Sequence, residues 1–91
     1  MPVTVRIPTQ LRTLSGGASE VALEGGTVAE VLKALDAAHP GFAERLYDDG
    51  GGLRRFVNVF VAEEDIRFLD GINTPVADGQ TVSIVPAVAG G

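Results

Sequence analysis

Residues 27–38 are the one long stretch of this chain with helical spacing. Val28, Val31, Leu32, Leu35 and Ala38 recur at three- and four-residue intervals and mark one apolar face. Thr27 and Glu30 have the spacing of a capping box. The Thr27 hydroxyl can accept the Glu30 amide, and the Glu30 carboxylate can reach back to the Thr27 amide. Pro40 stops the helix. About three turns with one apolar stripe must bury that stripe against another layer. Phe42, Leu46 and Tyr47 offer only a short second helical turn. The second layer therefore has to be a sheet.

The rest of the chain supplies one. Val3, Val5 and Ile7 alternate with Thr4 and Arg6, and Pro8 closes that strand. Ser15-Gly16-Gly17 reads as a turn, and residues 20–24 alternate again before Gly25-Gly26. The first two strands thus form a hairpin with a long loop. After the helix, residues 48–52 read as a loop and 55–62 as the strongest strand. Val57, Val59 and Val61 form one face of it, and Phe56, Asn58 and Phe60 the other. Residues 63–65 read as a turn and Ile66-Arg67-Phe68 as a short return strand. Asp78-Gly79 is a turn signal, residues 81–85 alternate as a last strand, and Pro86 ends its ladder.

A hairpin, a helical crossover and further strands make an α+β pattern. The crossover lets the last strand lie parallel to the first. This is the β-grasp, or ubiquitin-like, arrangement: a mixed four- to five-stranded sheet packed on one main helix. The expected division is a β-grasp domain over residues 1–86 and a flexible tail over 87–91.

Composition narrows the function. With 91 residues there is room for one domain of ordinary size, and no cysteine is present to staple it or to act as a thiolate. Twelve acids against seven bases give a net charge of −5. No basic stripe exists to hold nucleic acid, whereas a basic protein surface would suit this chain. No apolar run nears the roughly 20 residues of a membrane helix, and residues 1–10 lack a signal-peptide core, so a cytoplasmic protein is expected. His39 is the only histidine and sits at the helix end, which favours a dipole partner over a ligand. No metal-ligand spacing and no Ser-His-acid set occurs, and Gly50-Gly51-Gly52 lacks the Lys-Ser/Thr of a phosphate loop. Neither an enzyme active site nor a bound cofactor is expected.

Two features carry function instead. The first is Gly90-Gly91, which follows Pro86 and a run of small residues. Residues 86–91 can span roughly 20 Å at about 3.3 Å each. Glycines without Cβ can pass a narrow channel and bring a terminal carboxylate into another protein's active site. The second is the pair Phe56 and Phe60. If the valine face covers the helix, these aromatics point to the open face of the sheet and form a candidate docking surface.

Val-Ala-Asp-Gly-Gln at 76–80 and Val-Pro-Ala-Val-Ala-Gly-Gly at 85–91 resemble the ubiquitin-like sulfur carriers of the MoaD/ThiS family, and the likeness covers essentially the whole chain. The runs at 3–9, 55–61 and 64–68 look most like the actinobacterial branch that serves cysteine biosynthesis. The resemblance implies a carrier that acts as co-substrate of its partners. An ATP-dependent adenylyltransferase activates Gly91, with ATP used by that enzyme and not held by the carrier. A persulfide then supplies sulfur to give a C-terminal thiocarboxylate. Gly90, Ala89 and Val88 thread into the partner active site. In this branch the acceptor is an aminoacrylate on a pyridoxal-phosphate cysteine synthase, and a metallopeptidase releases the cysteine. The alternatives are the small subunit of molybdopterin synthase, a sulfur donor for a thiosugar or other secondary metabolite, and a ubiquitin-like modifier joined to lysines.

Overall fold

The computed structural model describes residues 2–54 and 57–86. Along the chain run β1 (Val3–Arg6), a 3-10 turn (Thr9–Leu11), β2 (Glu20–Leu23), α1 (Val28–Ala38) and α2 (Phe42–Leu46). Then come β3 (Val57–Val61), β4 (Glu64–Asp65), two further 3-10 turns (Ile66–Phe68 and Gly71–Asn73) and β5 (Thr81–Pro86). The sheet has five strands in the order β2-β1-β5-β3-β4. β1 and β5 pair in parallel, and the other three pairings are antiparallel.

Alternation decides which side of the sheet meets the helix. Val3 and Val5 of β1, Val57, Val59 and Val61 of β3, and Val82 and Ile84 of β5 are all buried. They face Val28, Val31, Leu32 and Leu35 of α1, also buried. Ala38 was expected on that stripe and is exposed. The apolar filling beyond Leu35 comes from α2, whose Phe42 and Leu46 are fully buried. α2 is held by Asp36, whose Oδ1 accepts from the amides of Gly41 (3.2 Å) and Ala43 (2.9 Å).

The start of α1 is tied at two levels. Thr27 Oγ1 accepts from the Glu30 amide at 3.2 Å, as expected. Glu30 Oε1 accepts from Gly26 at 2.8 Å, one residue earlier than the capping box anticipates. The Gly26 carbonyl accepts the Val76 amide at 3.0 Å, and Val28 donates to the Thr74 carbonyl at 3.1 Å. The Gly26 carbonyl shares its peptide plane with the Thr27 amide, so the bond to Val76 also fixes the direction of that amide, and Glu30 takes the Gly26 amide instead. Gly25 lies so close to α1 that a Cβ there would come within 2.7 Å of Val31 Cγ2 and 2.9 Å of the Val31 amide nitrogen.

The hairpin after β3 differs from the sequence expectation. Val61 pairs with Glu64, so the turn is Ala62-Glu63, and Glu64-Asp65 is the return strand. Both turn residues have positive φ, 50° and 73°, which a two-residue hairpin of type I′ requires. Ile66-Arg67-Phe68, expected as strand, coils into a 3-10 turn. The Asp65 carboxylate accepts the Arg67 amide at 2.9 Å and starts that turn, and Ile66 drops into the core. β5 extends through Pro86, which stands opposite Val57, one residue further than the alternation suggests.

Two substitutions test the helix entry. Thr27→Ala is expected to cost about 1 kcal/mol by orphaning one helix amide. Gly25→Ala is expected to cost about 1–3 kcal/mol, because the new methyl group meets backbone that cannot yield. Urea denaturation of both variants measures the difference. An unchanged midpoint for Thr27→Ala would show that the hydroxyl does not cap.

Candidate functional site

Helices cover one side of the sheet and leave the other open. β1 presents Thr4 and Arg6 there, β5 presents Thr81, Ser83 and Val85, and β3 presents Asn58 and Phe60. Register brings several of these together. Arg6 lies opposite Glu20 on one side and Ser83 on the other, and Phe60 lies between Ser83 and Asp65. Phe60 is half-buried and Val85 is 45% exposed, so β3 and β5 carry an apolar area near the middle of a polar face.

Beside Phe60 is an open depression of about 340 Å³ lined by Arg6, Ala62, Glu63, Thr81 and Ser83. The Ala62 amide donates to the Thr81 carbonyl at 3.1 Å and fixes the turn against β5. Holding two non-glycine residues at positive φ costs on the order of 1 kcal/mol each. The turn so held places Glu63 at the rim. Arg6 Nε and Glu20 Oε2 are 3.5 Å apart and both side chains are mostly exposed. This ion pair is screened and adds little stability, which leaves the guanidinium free to re-pair with an incoming group. A guanidinium, a carboxylate and two hydroxyls around a shallow depression can receive a polar side chain of a partner. They hold no nucleophile with an adjacent base.

The remaining sequence candidates sit elsewhere. His39 closes α1, donating its backbone amide to the Leu35 carbonyl at 2.8 Å, and its ring packs edge-on to Phe42. Asp48 organises the glycine loop by accepting the Gly50 and Gly52 amides. Arg54 donates twice to the Glu44 carbonyl. Burial raises the Tyr47 phenol above its ordinary pKa, but Tyr47 packs on the core after α2 and takes no part in the open face. Among the described residues no group of three His, Asp or Glu could hold a metal ion, and no helix is long and apolar enough to cross a membrane. Phe56, Val88, Ala89, Gly90 and Gly91 lie outside the described residues. The strand that leads toward the tail, β5, is the central one, flanked by β1 and β3.

Sequence reasoning passed over one exposed aromatic, Phe68. Its segment was expected to be strand, and a strand would have buried alternate residues. In the 3-10 turn only Ile66 is buried.

A family model described as the ThiS family matches residues 5–91. The chain belongs to the ThiS family. Among curated ThiS-type relatives it is 50% identical over 93 aligned positions to the sulfur carrier protein CysO of Mycobacterium tuberculosis, covering all of both chains. It is 41% identical over 68 residues to small archaeal modifier protein 3 of Haloferax volcanii, covering 75% of this chain and 73% of that one. Among solved structures, a chain in the Amycolatopsis orientalis BexX/CysO complex matches with a TM-score of 0.91 and 47% identity, covering 98% of this chain and 99% of that one. The ThiS-family neighbours share the β-grasp, ubiquitin-like fold described above.

The two sheet faces make an energetic prediction. Phe42→Ala empties a fully buried site and is expected to cost about 3–5 kcal/mol. Phe60→Ala removes a ring that is already partly in water and is expected to cost clearly less. Parallel denaturation curves compare them. Equal losses would mean that Phe60 is a core residue.

Proposed function

We propose that the chain is a sulfur carrier in which Gly91 is adenylated and then converted to a thiocarboxylate. The observation that carries this reading is the ThiS-family match, which runs through Gly91, together with 50% identity to a sulfur carrier over the full length. Carriers of this type are small proteins acted on by others, not catalysts. The open sheet face accords with that role, because it offers a partner a surface to grip.

The chemistry has a plain physical reason. A carboxylate is resonance-stabilised and a poor acyl donor. An activating adenylyltransferase uses ATP to join the Gly91 carboxylate to AMP, which is a good leaving group. The outer sulfur of a persulfide displaces AMP, forming the C–S bond as the C–O bond to AMP breaks and leaving an acyl disulfide. A second thiol, on the sulfur-donating protein or from a thiol reductant, then attacks the S–S bond, so that a disulfide leaves and the thiocarboxylate is released. The thiocarboxylate is then a soft nucleophile delivered by docking, at an effective concentration that free sulfide lacks. Gly90, Ala89 and Val88 would thread the tail into the partner active site. Phe60, with Phe56, would form the surface that the activating enzyme grips.

For the acceptor we favour an aminoacrylate held on a pyridoxal-phosphate cysteine synthase, with a metallopeptidase releasing the product, because the likeness to CysO is complete in length. Two other outcomes have observations of their own. The likeness to a chain of the BexX/CysO complex supports a protein of the BexX kind as another partner. The likeness to an archaeal modifier protein supports linkage of Gly91 to lysines of other proteins. Neither changes the activation step.

Intact mass after incubation with ATP, the adenylyltransferase and a sulfur donor tests the proposal. The expected product carries sulfur in place of one oxygen. Deleting Gly91 shortens the tail by about 3.3 Å and is expected to abolish conversion. Gly91→Ala keeps the reach and is expected to be milder. Neither change is expected to shift the melting temperature. Full conversion of the truncated chain would overturn the role given to Gly91, and heavier protein–protein adducts would favour the modifier.

A further inference from the structure

We propose that Phe68 and Leu69 form a second docking site, separate from the open sheet face, for a protein with an apolar pocket bordered by basic side chains. In the carrier reading above, on which this rests, that protein is the enzyme that takes the sulfur.

Phe68 is 87% exposed, the most exposed large apolar side chain among the described residues, and its neighbour Leu69 is 41% exposed. Isolated exposed apolar residues are common and carry no message. This pair differs because it is held rigidly. Ile66 anchors the turn in the core, and the Leu69 amide donates to the Ile66 carbonyl at 3.0 Å. Arg67 donates to the Val57 carbonyl at 3.2 Å, which ties the turn to β3. On the other side the Asp70 amide donates to Thr74 Oγ1 at 3.1 Å. Thr74 is itself buried and donates to the Gly71 carbonyl at 2.7 Å. The backbone under the ring is thereby fixed, so a partner that takes the ring has only its own side-chain rotations to restrain.

Charge selects the occupant. Residues 63–70 contain Glu63, Glu64, Asp65 and Asp70 against Arg67 alone, a local charge of −3 in a chain of −5. A second copy of this chain would bring like charge to like charge. Phosphates of nucleic acid or of an acidic lipid surface would be repelled in the same way. A protein pocket with lysines or arginines at its edge is attracted, and its apolar floor can take the ring.

Activation and sulfur transfer are carried out by different proteins on one carrier, and a carrier with two anchors can meet each protein through its own. An anchor beyond β4, at the sheet edge, gives the accepting enzyme a contact that is independent of Phe60 on the open face.

The test uses the full chain in its unloaded form, titrated against the cysteine synthase, with thiocarboxylate formation by the adenylyltransferase followed separately. Phe68→Ser is expected to weaken synthase binding about tenfold or more, while the loading rate and melting temperature stay unchanged. Phe68→Trp is expected to retain binding. Glu64→Gln with Asp70→Asn is expected to weaken binding and flatten its dependence on salt. Unchanged affinity of Phe68→Ser overturns the site. So does an equal fall in loading rate, which would make Phe68 part of the activation surface, and so does a lowered melting temperature. Failure of the unaltered chain to bind the synthase overturns it as well. The mass of the loaded product then shows whether the carrier reading falls too.

Discussion

Parallel pairing of β1 with β5 is the contact on which the rest of the molecule depends. Parallel neighbours cannot be joined by a tight turn and need a long crossover. Here everything from β2 to the Asp78-Gly79 turn lies between them, and α1 is the part that crosses the sheet. That crossover covers one face and leaves the other bare. It also makes β5 the central strand, so Pro86 is held against Val57 in the middle of the sheet and not at an edge. A chain built this way has one face to bury, one face to offer, and a last strand fixed from both sides.

The open face and the sheet edge use different physics. On the face, Phe60 and Val85 sit among threonine, serine and an exposed ion pair, so a partner can gain apolar contact without meeting a strong fixed field. At the edge, Phe68 and Leu69 stand in a segment with four acids, so approach there is steered by charge. Placing the two devices on different elements, a strand and a 3-10 turn, lets a small domain present more than one surface without enlarging its core.

Much of the fold was legible in the sequence, because burial leaves a period. The valines of β1 and β3 and the apolar stripe of α1 each mark a buried side, and Thr27 marks the helix start. The misses have two causes. Ala38 and the Glu30 contact were decided by neighbours at no fixed interval along the chain: Phe42 and Leu46 fill the core beyond Leu35, and Val76 occupies the Gly26 carbonyl. The Ile66–Phe68 turn is local, because Asp65 caps it through the amide two residues on, where the apolar spacing had suggested a strand.

The sequence by itself determined the element order, the inward faces, the net negative charge and the likeness to sulfur carriers that ends in Gly90-Gly91. These are properties of composition and period, which a chain carries before it folds. Only the tertiary structure decided that Ala62 and Glu63 adopt left-handed backbone beside a polar depression. It also decided that Phe60 stands opposite Ser83 and that Phe68 is left in solvent on a rigid turn. The Phe60 pairing and the Ala62 bond to Thr81 depend on register between β3 and β5, which are distant in sequence. A shift of one residue reverses which side chains face water.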